Sequence, residues 1–401
     1  MIRPSLLHKE EPNPARSASL STSTDLVMVK GAYDRAGGPE TVLQMIVGHL
    51  DRERFRPLLT LLARPDQELP AVLADLAADV PSRRLSWYGL SGAPLTALSL
   101  ARVLRERPGA ILHTNDMRSD LLGYLVTRIH RVPWIAHVHG WLGETHAGRW
   151  KMYEDIDRWL IRGADLVLVG SNAMANETRQ AGARWVEVVT NGISAVDPAA
   201  FDAEAEAIRS DLVPAGGLVV GMLGRLHPGK GQALLIEALA KLRGQGRELT
   251  VLLVGEGPAE AEYRALARNL GVADHVHFAG LVPDIHPYLR AMDIVCVPSL
   301  KDSLPLTAFE AMSVARPVIA SRAGDLPLAI EHGHTGLLVD IGSADSLAAA
   351  IDRLAADTEF RARIGEAGHA ELIARFTPQA MLRQLEGFCD QLLARRAGRG
   401  R

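Results

Sequence analysis

Short runs of aliphatic and β-branched residues alternate with stretches whose apolar positions recur every three to four residues, nearly from end to end of the chain. Runs of the first kind suit buried parallel strands and stretches of the second suit amphipathic helices. Their alternation predicts βαβ units and parallel sheets. In the first half the pattern predicts strands at 26–30, 57–62, 110–113, 134–139, 166–170 and 186–190, with helices such as 41–50, 95–105, 121–129 and 151–161 between them. The alternation breaks over 194–217, where two prolines, an Ala/Glu/Asp run and Pro214-Ala-Gly-Gly predict a connection between domains. It restarts with strands at 219–223, 249–254, 275–278, 294–297, 317–320 and 336–339. A last helix follows at 378–394, with Thr377 as N-cap and Pro378 as its first residue.

This organisation predicts an α/β protein of two doubly wound, Rossmann-like domains, 25–200 and 215–376, closed by the helix 377–394. The length of 401 residues is too great for one ordinary domain and suits two. Ligands of such sheets sit beyond the carboxyl ends of the strands, so two facing domains enclose a cleft.

Composition narrows the function. The 44 Lys and Arg residues against 47 Asp and Glu give a net charge of −3 and no basic excess of the kind that binds nucleic acid. Residues 1–24 are polar, rich in Pro and Ser and without an apolar signal-peptide centre, and are expected to be a disordered tail. No apolar run approaches the roughly 20 residues that span a bilayer. Two cysteines, Cys296 and Cys389, exclude a disulfide framework and fit a cytoplasmic protein; Cys296, inside an apolar run, reads as a core thiol. The basic end, 395–401, reads as a solvated terminus, with peripheral contact to an anionic inner-membrane face as the alternative.

Four segments carry chemistry. Gly31 to Glu40 follows the first strand and opens a helix; Gly37 and Gly38 allow a tight turn, and free N–H groups at the helix start suit anion or hydroxyl oxygens. A plain strand-to-helix turn is the competing explanation. His137-Val-His139-Gly140 ends a strand with both imidazoles on one face. It lacks the companion ligands of a zinc site. Gly224-Arg225-Leu-His-Pro-Gly229-Lys230-Gly231 places two cations on a glycine-rich turn before a helix, suited to a diphosphate leaving group, and lacks the P-loop order. The fourth, Pro298 to Met312, places Asp302 in a loop and Glu310 one and a half turns inside a helix whose first N–H groups lie near Leu306 and Thr307. Its two carboxylates suit acid/base work or the binding of sugar and ribose hydroxyls.

Together these segments resemble the family 4 retaining glycosyltransferases, the glycosyl transferases of group 1, over nearly the whole chain from about Asp25 to Ala394. Asp302-x7-Glu310 with Pro305 and Glu310-Ala-Met stands in the register of the family's Glu-x7-Glu region. Gly37-Gly38-x-Glu40, His139-Gly140, Asn191-Gly192-Ile193, Gly224-Arg225-Leu226 with Lys230-Gly231, and Val254-Gly-Glu-Gly257-Pro258 supply further matches. The resemblance implies the GT-B fold, with the last helix crossing back to the first domain. It implies a sugar moved from a nucleotide-sugar donor to a glycan, lipid-linked or small-molecule acceptor, with no metal and no other cofactor. Arg225 and Lys230 would hold the donor diphosphate, Glu310 the ribose hydroxyls and Asp302 those of the donor sugar. Gly224 would shape the phosphate turn, and Gly38 would approach the phosphates or the acceptor. His139 would lie near the transferred sugar, and Leu281 and Val282 would meet the base. Asp302 replaces the family's Glu and Ser303 its usual Gly, which leaves the donor sugar open. UDP, GDP and ADP donors are not distinguished. Two other readings stand beside this one: a nucleotide-sugar epimerase, which shares the architecture but does not usually carry the Gly-Arg-Leu…Lys-Gly and Glu-Ala-Met patterns together, and a non-catalytic donor-binding partner of another transferase. Trp141 and Trp150, in a segment with Glu144, His146, Arg149 and Lys151, read as packing residues or as stacking platforms for an acceptor sugar.

Overall fold

The computed structural model describes residues 23–33, 38–141, 149–190, 192–213, 217–301 and 306–399. Strands β1 (Thr24–Gly31), β2 (Phe55–Ala63), β3 (Ser82–Ser86), β4 (Ile111–Thr114), β5 (Trp134–Val138), β6 (Leu166–Val169) and β7 (Val186–Val188) form one parallel sheet in the order β3-β2-β1-β4-β5-β6-β7. Helices α1 (Gly38–His49), α2 (Ala71–Asp79), α3 (Ala93–Arg105), α4 (Met117–Ile129), α5 (Arg149–Leu160) and α6 (Asn172–Gln180) connect them. A second parallel sheet, in the order β10-β9-β8-β11-β12-β13, follows helix α7 (Asp202–Leu212). Its strands are β8 (Leu218–Leu223), β9 (Leu249–Val254), β10 (Val276–Gly280), β11 (Ile294–Val297), β12 (Val318–Ser321) and β13 (Leu337–Val339). Its helices are α8 (Gln232–Gly244), α9 (Glu260–Asn269), α10 (His286–Ala291), α11 (Leu306–Ser313), α12 (Leu326–Ala329), α13 (Ala344–Ala356) and α14 (Thr358–Arg375), and α15 (Pro378–Arg399) ends the described chain.

The strands read as unbroken apolar runs because both faces of each sheet are covered. In β1, Leu26 and Met28 enter one core while Val27 and Val29 enter the core on the opposite face. In the second sheet Val219 and Leu252 face one core, Val220 and Leu253 the other. Cys296 and Cys389 are core thiols, each 1% exposed, and burial raises the pKa of each. Strand β3 is absent from the expectation because its sequence, Ser-Arg-Arg-Leu-Ser, carries no buried face: it is the exposed edge of the first sheet, where charge discourages further pairing.

The stretch 194–217, expected as a connection, instead holds α7. Its Ala/Glu/Asp run forms a helix whose Ile208 and Leu212 pack on the core of the second sheet. Arg209 anchors it there, reaching Asp293 at 2.8 Å and the Gly217 carbonyl at 3.0 Å. The strand β1 begins at Thr24, inside the stretch expected as a tail; the remainder of that tail, through residue 22, lies outside the described residues.

Helix α15 returns to the first sheet. The Thr377 hydroxyl accepts from the Ala380 N–H at 3.3 Å and caps its start. From there Met381, Leu382, Leu385, Cys389 and Leu392 run into the core that holds Leu26, Leu43 and Ile46. Glu386 fixes the helix laterally, accepting from the Asp51 N–H at 2.9 Å and from Arg54 at 3.0 Å. The chain linking the two sheets passes under the start of α15: the Ile193 N–H donates to the Phe376 carbonyl, and a Cβ on Gly192 would lie 2.4 Å from the Pro378 nitrogen. Among the described residues no helix is long and apolar enough to cross a membrane.

Leu385 on α15, 1% exposed, lies within the first-sheet core. Leu385→Ala should destabilise the first-sheet core by about 2–5 kcal/mol, read as a lower urea midpoint of the full chain.

Candidate functional site

In each sheet the strand order reverses between the first and fourth strands, at β1/β4 and at β8/β11, and the carboxyl ends of these neighbours open a crevice. At the first crevice β1 ends in Lys30-Gly31. The Lys30 ammonium, 1% exposed, lies 2.9 Å from Glu40 on α1 and 3.4 Å from Asp116, the cap of α4. Asp116 also accepts from the Gly31 N–H at 2.7 Å and from the Ser119 N–H at 3.1 Å. A buried charge survives only when paired and hydrogen-bonded. This cluster meets that condition while joining β1, α1 and α4.

Above it lies a cavity of about 470 Å³ whose described lining comes from the first domain: Tyr33, Trp87, Asn115, Asp116, Arg118, Asp120, His137, His139, Trp141, Glu154 and Asp157 among others. His113, His137 and His139 form a column, with ring centroids 5.5 Å and 4.3 Å apart. Burial drives all three toward the neutral form, His137 down to about 4, and neighbouring rings reinforce the effect at His113 and His139. His139 Nε2 and His137 Nδ1 are buried without hydrogen-bond partners among the described residues. The imidazoles are therefore neutral at pH 7, and each ring nitrogen can donate or accept according to tautomer.

Beside the column sits a pair of buried carboxyls. Asp157 accepts from the Trp141 indole N–H at 2.9 Å, and Asp120 accepts from the Thr114 hydroxyl, which in turn accepts from the Trp134 indole N–H at 2.8 Å. Burial raises both carboxyls, Asp157 to about 6, and the Asp157 charge adds to the rise at Asp120. Trp141 packs on the apolar core, and it lines the cavity with the Arg158 guanidinium 4.7 Å from its ring centroid.

At the second crevice three strand-end turns pack backbone to backbone. Gly224 N–H donates to the Val254 carbonyl and Gly255 N–H to the Gly280 carbonyl. Gly231 has φ +86°, and a Cβ there would lie 2.3 Å from the Pro298 carbonyl oxygen, so only glycine fits. The Leu300 N–H donates to the Gly229 carbonyl, joining the loop after β8 to the loop after β11. Arg225 on this turn is exposed, and its carbonyl accepts from the buried Gln232 amide at 3.0 Å. Lys230 is half-buried. The half-buried Glu310, on α11, has no hydrogen bond or ion pair on its carboxylate among the described residues. Burial raises its pKa, against the effect of nearby His286.

The expected residues fall into two groups. Gly224, Arg225 and Lys230 share the turn after β8, against the segment that leads to Leu306, Thr307 and Glu310 on α11. Leu281 is 74% exposed after β10, while Val282 packs on the core. His139 belongs to the first-domain cavity, Gly38 opens α1 and Pro39 lines that cavity; among the described residues none of the expected second-domain ones does. Asp302 and Pro305 lie outside the described residues, as do Gly37, Glu144, His146 and Asn191 and the side chains of Arg149 and Trp150. Sequence reasoning missed Asn115, Asp116, Asp120 and Asp157. The first two carried a signal, since Asn115-Asp116 follows an apolar strand just as His139-Gly140 does. The other two had none, because an aspartate within a helix ordinarily faces water.

The Asp157 carboxyl supplies a test. A carboxyl whose folded-state pKa is raised holds its proton in the native state after the unfolded chain has released it, so stability falls as pH rises from about 4 through about 6. Asp157→Asn retains an acceptor for Trp141 and cannot ionise. The variant should match wild type near pH 4 and exceed it by up to about 3 kcal/mol at pH 8, in urea unfolding followed against pH.

Comparison with known proteins agrees with this geometry. The model of glycosyltransferase family 4 matches residues 36–196, and that of glycosyl transferases group 1 matches residues 204–371. The D-inositol 3-phosphate glycosyltransferase of Corynebacterium aurimucosum is 32% identical over 305 residues, covering 69% of this chain and 70% of that protein. Its counterpart in Corynebacterium glutamicum is 33% identical over 285 residues, 64% of this chain and 66% of the relative, slightly under two thirds of its length. The crystal structure of Anabaena HepE in complex with UDP superimposes with a TM-score of 0.72 at 26% identity, covering 91% of this chain and all of that one. The chain, two parallel-sheet domains in the GT-B arrangement, belongs to the family 4 glycosyltransferases.

Proposed function

We propose that the protein is a retaining glycosyltransferase that moves a sugar from a nucleotide-sugar donor to an acceptor hydroxyl presented in the first-domain cavity. The observation that carries this reading is the second crevice. A glycine-bound turn bearing Arg225 and Lys230 adjoins the segment leading to α11, where the half-buried Glu310 carboxylate makes no hydrogen bond or ion pair among the described residues. Two cations and the first N–H groups of α11, at Leu306 and Thr307, suit a diphosphate. A free carboxylate suits the ribose hydroxyls, which donate. Because HepE is described in complex with UDP, a UDP-sugar is the first donor to test.

In the proposed step the bond from the anomeric carbon to the diphosphate oxygen breaks, and the acceptor oxygen bonds to the same carbon on the same face. The acceptor's proton passes to the departing phosphate oxygen, whose charge Arg225 and Lys230 offset. Asp302 would hold donor-sugar hydroxyls. The neutral His139 imidazole suits a hydrogen bond to a hydroxyl of the transferred sugar.

The test is a thermal-shift and hydrolysis panel of UDP-, GDP- and ADP-glucose in EDTA, on wild type and Lys230→Ala. One donor should stabilise the wild type and be slowly hydrolysed, with hydrolysis about a hundredfold or more slower in the variant. No binding of any nucleotide sugar would remove the reading. Binding without turnover, even with sugar acceptors supplied, would favour a donor-binding partner instead. Rescue of EDTA-treated protein by a divalent cation would overturn metal independence, and a trapped glycosyl-enzyme would overturn the front-face step.

A further inference from the structure

A second cavity, of about 480 Å³, adjoins the first and shares with it Tyr33, Trp87, Gly89 and Arg118. Their electrostatics differ. Among the described residues the first is lined by four carboxylic side chains, Asp116, Asp120, Glu154 and Asp157, and by the single arginine Arg118. The second is lined by Arg64 and Arg118 with one exposed carboxylate, Asp66.

We propose that this second cavity is an anion subsite of the acceptor, so that the acceptor carries a phosphate ester or carboxylate next to the sugar ring held in the first cavity. The inference rests on reading the first cavity as the acceptor's place, and it adds the chemical class of the acceptor.

Three observations support it. The Arg64 side chain has no hydrogen bond or ion pair among the described residues, while its backbone is fixed. Its N–H donates to the Gln67 side chain at 3.2 Å, and its carbonyl accepts from Arg84 at 2.7 Å. Arg118 is oriented in advance: it donates to the Ala32 carbonyl at 3.2 Å, and its guanidinium lies 4.2 Å from the Tyr33 ring centroid. A guanidinium held in place loses less freedom when it binds an anion. Third, Gln67 donates to the same Ala32 carbonyl at 3.2 Å, so one backbone oxygen beyond β1 ties the floor of the cavity together. The shared wall of Tyr33 and Trp87 offers ring faces between the two cavities, and among the described residues the first cavity presents an anion with one arginine where the second presents two. A ligand that is uncharged at the accepting ring and anionic beside it satisfies both cavities. A wholly neutral acceptor leaves Arg64 without a partner.

The experiment is isothermal titration of the full chain with methyl α-glucoside, glucose 6-phosphate and glucuronate, with and without saturating UDP, on wild type, Arg64→Ala and Lys230→Ala. Arg64 is exposed, so its truncation leaves the core intact. At least one anionic probe should bind about tenfold or more tightly than the neutral one. That gain should disappear in Arg64→Ala, persist in Lys230→Ala and weaken with added salt. Whether the phosphate or the carboxylate probe shows it identifies the kind of anion. Equal affinity for all three probes would overturn the proposal. So would a gain that survives Arg64→Ala, or one abolished by UDP and by Lys230→Ala, which would place the anion in the donor site. If no nucleotide sugar binds at all, the transferase reading falls, yet an Arg64-dependent gain in the UDP-free titration would still establish the anion subsite.

Discussion

A parallel sheet covered on both faces has one kind of place for polar chemistry, the ends of its strands. Side chains along β1 and β8 alternate between two apolar cores, so a charged group in mid-strand would be buried without a partner. Polar residues therefore collect where the backbone leaves the sheet, and they concentrate where the order of strands reverses and adjacent connections diverge. The chain uses this place twice, at β1/β4 and at β8/β11. The two ends are built differently. At the second, backbones touch and glycine is required, as at Gly231; at the first, side chains fill the space, and a lysine between two carboxylates sets the geometry.

That lysine explains why Glu40 sits so near a glycine-rich loop and yet faces no solvent. Its carboxylate, in a residue 4% exposed, pairs with Lys30 and anchors α1 to the sheet. Asp116 does the same for α4 while holding the Gly31 N–H. Removing one member would strand the others as uncompensated buried charge, a loss of about 3–5 kcal/mol for such pairs. These acidic residues at the mouth of a cavity are thus structural, and the groups left for a ligand are the imidazoles, Asn115 and the arginines.

Much of this could be read from the sequence, and the exceptions have physical causes. Strands buried on both faces announce themselves as apolar runs, so β9 and β11 fall at the expected residues, while the exposed edge strand β3 has no such run to reveal it. Residues 194–217 contain prolines at either end and look like a linker, yet the alanines and glutamates between them favour helix, and Arg209 docks that helix on the second domain. The glycines and cations of the turn after β8 were legible because their spacing is local. The carboxyl pair Asp120 and Asp157 was not, since the two come from separate helices and meet only through the packing of α4 and α5.

The two ends also divide the electrostatic labour. Burial lowers the charge of the first-domain cavity: the three histidines are neutral at pH 7, Asp120 is pushed toward its protonated form, and Asp157 is raised to about 6. The cations Arg225 and Lys230 stand on the other domain, on the turn after β8, with Arg225 exposed and Lys230 half-buried. In the proposed reaction negative charge develops on the departing diphosphate, so stabilisation is useful on that side, and a strong base beside the acceptor is unnecessary if the leaving group takes the proton. A neutral imidazole at His139 can orient a hydroxyl without competing for its proton. The same logic bears on the second cavity. An arginine such as Arg64, set apart from the accepting hydroxyl behind the wall of Tyr33 and Trp87, can hold an anion without placing that charge beside the bond being formed.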